Sequence, residues 1–147
     1  MKYILVDLDG TIADCSHRLH HIEKEPKDWE SFFAECEEDK PIWNVIETIE
    51  SLVCFCLGSK NHYEVLYVTG RPERIREETQ GWLHTFDAPS GDLLMRPDGD
   101  HRPAEVVKLE QVEKAGIKPE DILCVFDDDE KVCQAWKELG VTVYKVM

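Results

Sequence analysis

Five short apolar runs, rich in branched residues, recur along the chain: Lys2 to Val6, Tyr63 to Val68, Asp92 to Met95, Ile122 to Phe126 and Val141 to Val146. Runs of this length and composition read as buried strands. The segments between them are long enough for helices. Strands alternating with helices predict an α/β fold, a parallel sheet with helices on both faces. Ligands of such sheets bind beyond the carboxyl ends of the strands, so those ends are where chemistry is expected.

The intervening segments have helix signals of their own. Pro41 is expected to open a helix through about Leu57, with Ile42, Val45, Ile46, Ile49, Leu52 and Val53 at helical spacing and Gly58 at its end. Pro72 suits the first turn of a helix running to about Leu83. Pro103 to Ala115 is predicted helical with Gly116 as its stop, and Glu130 to Leu139 with Gly140 as its cap. Asp14 to Lys40 is polar and aromatic-bearing, too long for a plain loop and too short for a large lid. It reads as a small cap-like insertion with one or two short helices, the second around Asp28 to Glu37. With no internal repeat, low-complexity tract or linker, the 147 residues are expected to form one domain, 1–147.

Charge narrows the partners. The chain has a formal net charge of −14, which repels long stretches of nucleic-acid backbone. A small ligand, a metal cation or a single phosphorylated nucleotide end is favoured instead. Six cysteines, at positions 15, 36, 54, 56, 124 and 133, form no CxxC pair, and Cys54 and Cys56 lack a histidine–cysteine partner set for zinc. Cys54, Cys124 and Cys133 lie in apolar runs and read as small core residues. Reduced thiols, the lack of a membrane-length apolar run and the lack of a signal-peptide core predict a cytoplasmic protein off the membrane. The sequence is compatible with a homo-oligomer.

The strand ends collect the reactive side chains in four places. The first run ends in Asp7 and Asp9, the second in Thr69-Gly70-Arg71, the third in Arg96 and the fourth in Asp127-Asp128-Asp129. Acids gathered at one rim repel each other by several kcal/mol in a poorly solvated cleft, and a hard divalent cation offsets this. Magnesium prefers oxygen ligands, so two or three carboxylates suit it. A lone Asp7/Asp9 pair also reads as turn and cap residues; the second acidic cluster shifts the balance toward metal. Gly10 allows a sharp turn after Asp9, and Thr11 offers a hydroxyl or amide. The Thr69 hydroxyl and the Gly70 amide favour an anion. Lys108 follows Val106-Val107 and reads either as a point charge toward phosphate or as a solvated helix lysine.

These residues resemble the haloacid dehalogenase superfamily of phosphohydrolases over most of the chain. "DLDGT" (Asp7 to Thr11) is similar to its first motif, "VTGR" (Val68 to Arg71) to its second, Lys108 to its third and "FDDD" (Phe126 to Asp129) to its fourth. Within it, "LLMRPDGDHRPAEVVKLEQV" and "DDDEKVCQAWKELGV" resemble the 3′-phosphatase domain of phage-type polynucleotide kinase. No GxxxxGK[ST] phosphate loop occurs, so a phosphatase without the kinase half is expected.

The resemblance implies a Rossmann-like three-layer sandwich with a five-stranded, mainly parallel sheet and a small helical cap insertion. It implies a magnesium-dependent phosphomonoesterase that forms an aspartyl-phosphate on Asp7. Asp9 would protonate the leaving oxygen and then activate water, so its pKa is expected above that of a free Asp. Thr69 and Lys108 would hold the phosphoryl group. Asp127 and Asp128 would complete the metal site with Asp7 and the Asp9 backbone carbonyl, with the direct ligand of the pair left open.

For the rest of the substrate, Arg18, Arg71, Arg96 and Arg102, with Thr11 and Gly70, are the candidate contacts, and Arg74 and His101 lie nearby. Arginine binds phosphate through two parallel hydrogen bonds. Trp29 and Phe33 either stack on a base or, with Phe32, pack a helix on the core. A nucleic-acid 3′ end is the expected substrate class. Mononucleotides or other small phosphoesters, and a non-catalytic nucleotide-binding role, are the alternatives.

Overall fold

The computed structural model describes residues 1–56 and 62–147. Strands β1 (Lys2–Val6), β4 (Tyr63–Pro72), β5 (Gly91–Arg96), β6 (Ile122–Asp127) and β7 (Val143–Lys145) form one sheet in the order β5-β4-β1-β6-β7. Every neighbouring pair is parallel. A second sheet pairs only β2 (Ala13–Asp14) with β3 (Lys40–Pro41), antiparallel.

Residue alternation along the strands explains the layers. Ile4 and Val6 of β1, with Val65 and Tyr67 of β4, pack on one side against Ile46 and Ile49 of helix α3 (Trp43–Cys56) and Trp82 of helix α4 (Arg76–Thr85). Leu5, Leu66 and Val68 face the other side, against Val112 of helix α5 (Ala104–Lys114) and Val132 and Trp136 of helix α6 (Glu130–Glu138). Each large aliphatic side chain buried this way contributes about 1.5–3 kcal/mol. The result is a three-layer α/β sandwich with β1 at its centre.

The order places the middle strands where the chemistry is needed. Val6 pairs with Tyr67 on one side and Phe126 on the other. The residues that follow these three therefore emerge at one rim.

Several boundaries differ from the sequence expectation. Pro41 does not open α3, because it pairs with Ala13 and the Ile42 N–H donates to Ile12 O at 2.7 Å. Gly58, expected at the helix end, lies outside the described residues, as does Leu57. Pro72 is not in a helix either: β4 runs on through Thr69, Gly70 and Arg71 to Pro72, which pairs with Arg96 across a bulge. A short 3₁₀ turn (Glu73–Ile75) precedes α4. Gly116 and Gly140, both at φ +79°, end α5 and α6 in the left-handed conformation that glycine adopts without strain. Cys54, expected in the core, is exposed on α3, whereas Cys124 and Cys133 are buried.

The 14–40 segment holds a 3₁₀ turn (Ser16–Arg18), helices α1 (His20–Glu23) and α2 (Trp29–Ala34) and a second 3₁₀ turn (Cys36–Glu38). Asp28 caps α2, its side chain accepting from Ser31 N at 3.0 Å. No helix among the described residues is long and apolar enough to cross a membrane.

Candidate active site

β1 leads into Asp7, and the neighbouring β6 ends in Asp127. Asp7, Asp127 and Asp128 each offer a carboxylate oxygen, and these oxygens lie within 4.8 Å of one another. Lys108 enters from α5: its Nζ donates to Asp7 Oδ1 at 2.8 Å and to Asp127 Oδ2 at 2.7 Å. Lys108 is buried, so it is not a solvated helix lysine. The Thr11 hydroxyl donates to Asp7 Oδ2 at 3.0 Å and lies 3.4 Å from Asp128 Oδ1.

The turn between Asp9 and Thr11 is tied to this cluster. Gly10 has φ +83°, and a Cβ there would fall 2.1 Å from Asp128 Oδ2. Glycine therefore serves two ends, a left-handed turn and space for the Asp128 carboxylate. Asp129 has a different task. It caps α6, its Oδ1 accepting from Lys131 N at 2.8 Å and Val132 N at 3.1 Å. The run of three acids thus resolves into two at the cluster and one at a helix end.

Three carboxylates face one ammonium here, leaving negative charge uncompensated. Burial, and then the charge of Asp7, push the pKa of Asp127 up to about 6 and that of Asp128 up to about 7. Burial opposes the charge on Lys108, but Asp7 and Asp127 outweigh it and hold the ammonium protonated. An all-oxygen donor set with two excess charges fits a hard divalent cation.

Asp9 belongs to a second, separate set. Arg18 Nη2 donates to Asp9 Oδ1 at 2.5 Å, and Arg71 donates from Nη2 at 2.7 Å and from Nε at 3.2 Å. Both arginines also reach Asp39: Arg18 from Nε at 2.7 Å and Nη2 at 2.6 Å, Arg71 from Nη2 at 3.1 Å. Arg18 Nη1 and Arg71 Nη1 donate to Phe32 O and Thr79 Oγ1, at 3.0 and 3.2 Å. Both arginines are fully buried and directed at these acceptors, not presented to a phosphate.

The expected elevation of the Asp9 pKa is corrected by this arrangement. Burial raises it, but the guanidiniums of Arg71 and Arg18 outweigh burial and hold it below the ordinary value. The Asp9 carboxylate also lies with the arginines and outside the acid cluster.

Asp39 was not anticipated. It sits in the acidic run "EEDK", and no spacing signal marks it. It is buried, and its backbone carbonyl accepts from Trp82 Nε1 at 2.8 Å.

The remaining candidates lie along the rim. Thr69 is buried, two residues past the Val6-paired Tyr67, and its Oγ1 accepts from Arg71 N at 3.1 Å. Arg96 donates to the carbonyls of Gly70, Asp100 and Arg102, at 3.0, 3.1 and 2.6 Å. Arg102 is exposed and paired with Asp100 and Glu110. Arg96 thus braces its own loop, and Arg102 is engaged by the chain's own acids.

Across residues 1–147 the sequence matches the model of the polynucleotide kinase PNKP phosphatase domain. The chain belongs to this family. It is a haloacid-dehalogenase-type phosphatase. A protein of Autographa californica nuclear polyhedrosis virus that carries the name bifunctional polynucleotide kinase/RNA ligase is 26% identical over 147 residues, 99% of this chain and 19% of that protein. A chain in a Pnkp1/Rnl/Hen1 RNA repair complex shares the fold with a TM-score of 0.78 at 22% identity, over 99% of this chain and 42% of that one. A HAD family enzyme of Bacteroides thetaiotaomicron, in complex with magnesium and inorganic phosphate, gives a TM-score of 0.51 at 15% identity, over 99% and 93% of the two chains. The phosphatase chain thus spans about a fifth of the viral relative and under half of the repair-complex chain.

Proposed function

We propose that the chain is a magnesium-dependent phosphomonoesterase that removes phosphate from the 3′ end of a nucleic acid through an aspartyl-phosphate on Asp7. The observation behind this reading is the cluster of three carboxylates at the rim of the central strands, Asp7 and Asp127 buried and bonded to Lys108, Asp128 more open beside them. The nucleic-acid end is supported by the family match and by the viral relative's name.

An oxygen of Asp7 attacks phosphorus, and the ester P–O bond breaks. Asp9 gives the departing oxygen its proton. Water then attacks the aspartyl-phosphate, Asp9 takes the proton from it, and inorganic phosphate leaves with Asp7 regenerated. Lys108 and Thr69 hold the phosphoryl oxygens, and the Lys108 ammonium balances their charge. Asp7, Asp127 and Asp128, with the Asp9 carbonyl, would hold magnesium, which supplies positive charge against phosphate repulsion when bound. The arginine pair sets Asp9 as a carboxylate, suited to the second step. For the first step Asp9 must be protonated, which requires its arginine contacts to loosen.

The test is inorganic phosphate release with Mg²⁺, against EDTA and Asp7→Asn controls, from a 3′-phosphorylated oligonucleotide and from 3′- and 5′-mononucleotides. Metal-dependent release chiefly from the oligonucleotide is expected. Release chiefly from mononucleotides would move the enzyme to small phosphoesters, a class that the net charge of −14 also suits.

A further inference from the structure

A groove of about 600 Å³ opens beside Gly70, between α2 and the loop that follows β5. That volume lies within the range of small-molecule sites. Trp29 and Phe33 line it from α2, their rings stacked with centroids 5.8 Å apart and 24° between planes. Trp29 is 46% exposed, too open for a core residue. Phe32, the neighbour that does pack inward, lies edge-on to Trp29 and holds it in place.

The groove is tied to the arginine set. Phe32 O accepts from Arg18, and the Arg18 guanidinium carbon lies 4.2 Å from the centre of the Phe32 ring. Arg74 sits between the two walls: its backbone N–H donates to Asp98 Oδ1 at 3.1 Å, its Nη2 to Glu30 Oε1 at 2.7 Å, and its guanidinium carbon is 5.7 Å from the Phe33 centroid. Three arginines line the groove: Arg74 and Arg102 are paired with acids, whereas the Arg96 guanidinium donates to backbone carbonyls. An aromatic platform beside cations suits a nucleobase with its attached phosphate.

We propose that this groove holds the unpaired base of the terminal nucleotide, stacked on Trp29, while its 3′-phosphate enters the rim at Thr69. The inference rests on the 3′-end reading above. It makes the nucleoside, not only the phosphate, a determinant of substrate choice. The strand end must be single-stranded to place a base there.

The experiment is a cycle between protein and ligand. A short 3′-phosphorylated oligonucleotide is compared with the same strand made abasic at its terminal nucleotide, using the wild-type protein, Trp29→Ala and Trp29→Phe. On the intact strand, Trp29→Ala lowers kcat/KM by about 5- to 150-fold, the fold-change of one base–aromatic stack. Removing the base costs the wild type a similar factor, and the two losses do not add. Trp29→Phe recovers most of the loss. Additive losses, or equal kcat/KM for intact and abasic strands, would overturn the groove assignment while leaving the phosphatase reading standing. A parallel arm measures binding of both strands to Asp7→Asn protein, where no turnover is needed. If the wild type releases no phosphate from either strand but base-dependent binding disappears with Trp29→Ala, the 3′-end reading fails and the groove stands. Thermal melting of each variant establishes that it is folded.

Discussion

Asp39 and Arg18 are joined by two hydrogen bonds, 2.7 and 2.6 Å long, with both side chains buried. The same Asp39 oxygen that accepts from Arg18 Nη2 also accepts from Arg71, and its other oxygen meets His17 Nε2 at 2.7 Å. One carboxylate from the base of the insertion thus shares two guanidiniums with Asp9. Asp39→Ala leaves those guanidiniums short of an acceptor in a dry site, and breaking a buried pair costs about 3–5 kcal/mol. Urea denaturation is expected to show a loss of that order. A change under about 1 kcal/mol would mean that water replaces the carboxylate easily.

Asp9→Asn separates the two charge sets. Asp9 lies outside the acid cluster, so magnesium binding should change little, whereas phosphate release should fall by a factor of about 100 or more for a lost acid–base group. Calorimetric magnesium titration and kcat for the oligonucleotide check the two halves. Unchanged turnover would remove Asp9 from the chemistry.

Magnesium should stabilise the protein more at higher pH. Burial and the charge of Asp7 push Asp127 up to about 6 and the partly buried Asp128 up to about 7, above the value of an unfolded aspartate. A raised acid favours its protonated form in the fold, so the metal-free protein loses stability as pH climbs from about 4 to about 7. A bound cation relieves that loss. The Tm difference between Mg²⁺ and EDTA is therefore expected to be larger at pH 8 than at pH 5.5, and equal differences would contradict the cluster's charge balance.

Gly10→Ala should damage the cluster without removing a charged residue. Its added methyl meets Asp128 Oδ2 at 2.1 Å and sits on a backbone at φ +83°. The left-handed conformation costs roughly 1–2 kcal/mol for a non-glycine residue, and Asp128 must also shift. A fall in Tm together with weaker magnesium binding is the expected pair of results. Normal binding would show that Asp128 lies outside the metal site.

The parallel sheet was legible because its central strands are buried on both faces and stand out as apolar runs. The acids at β1 and β6 were legible because they follow such runs directly. Reading failed where a long-range partner decided the outcome. Pro41 and Pro72 look like helix openers, yet one pairs with Ala13 and the other with Arg96. Arg18 and Arg71 look like free cations, but Asp39, distant from Arg71 in sequence, turns both inward. The Asp9 pKa was misjudged for the same reason: local sequence shows the acid, and only the fold shows its guanidiniums. Asp39 itself is indistinguishable in sequence from the exposed glutamates before it.

The two-residue pairing of Ala13–Asp14 with Lys40–Pro41 brings the ends of the insertion side by side. What lies between those ends carries Arg18 and Asp39 in to Asp9 and Arg71, so the segment is keyed to the reaction centre and not merely hung beside it. Exchange of the whole segment would strip Asp9 of one guanidinium and Arg71 of one carboxylate. A graft that keeps Arg18 and Asp39 should change which molecules reach the reaction centre while leaving Asp9 in its charge set, which makes α1 and α2 the place to redesign selectivity.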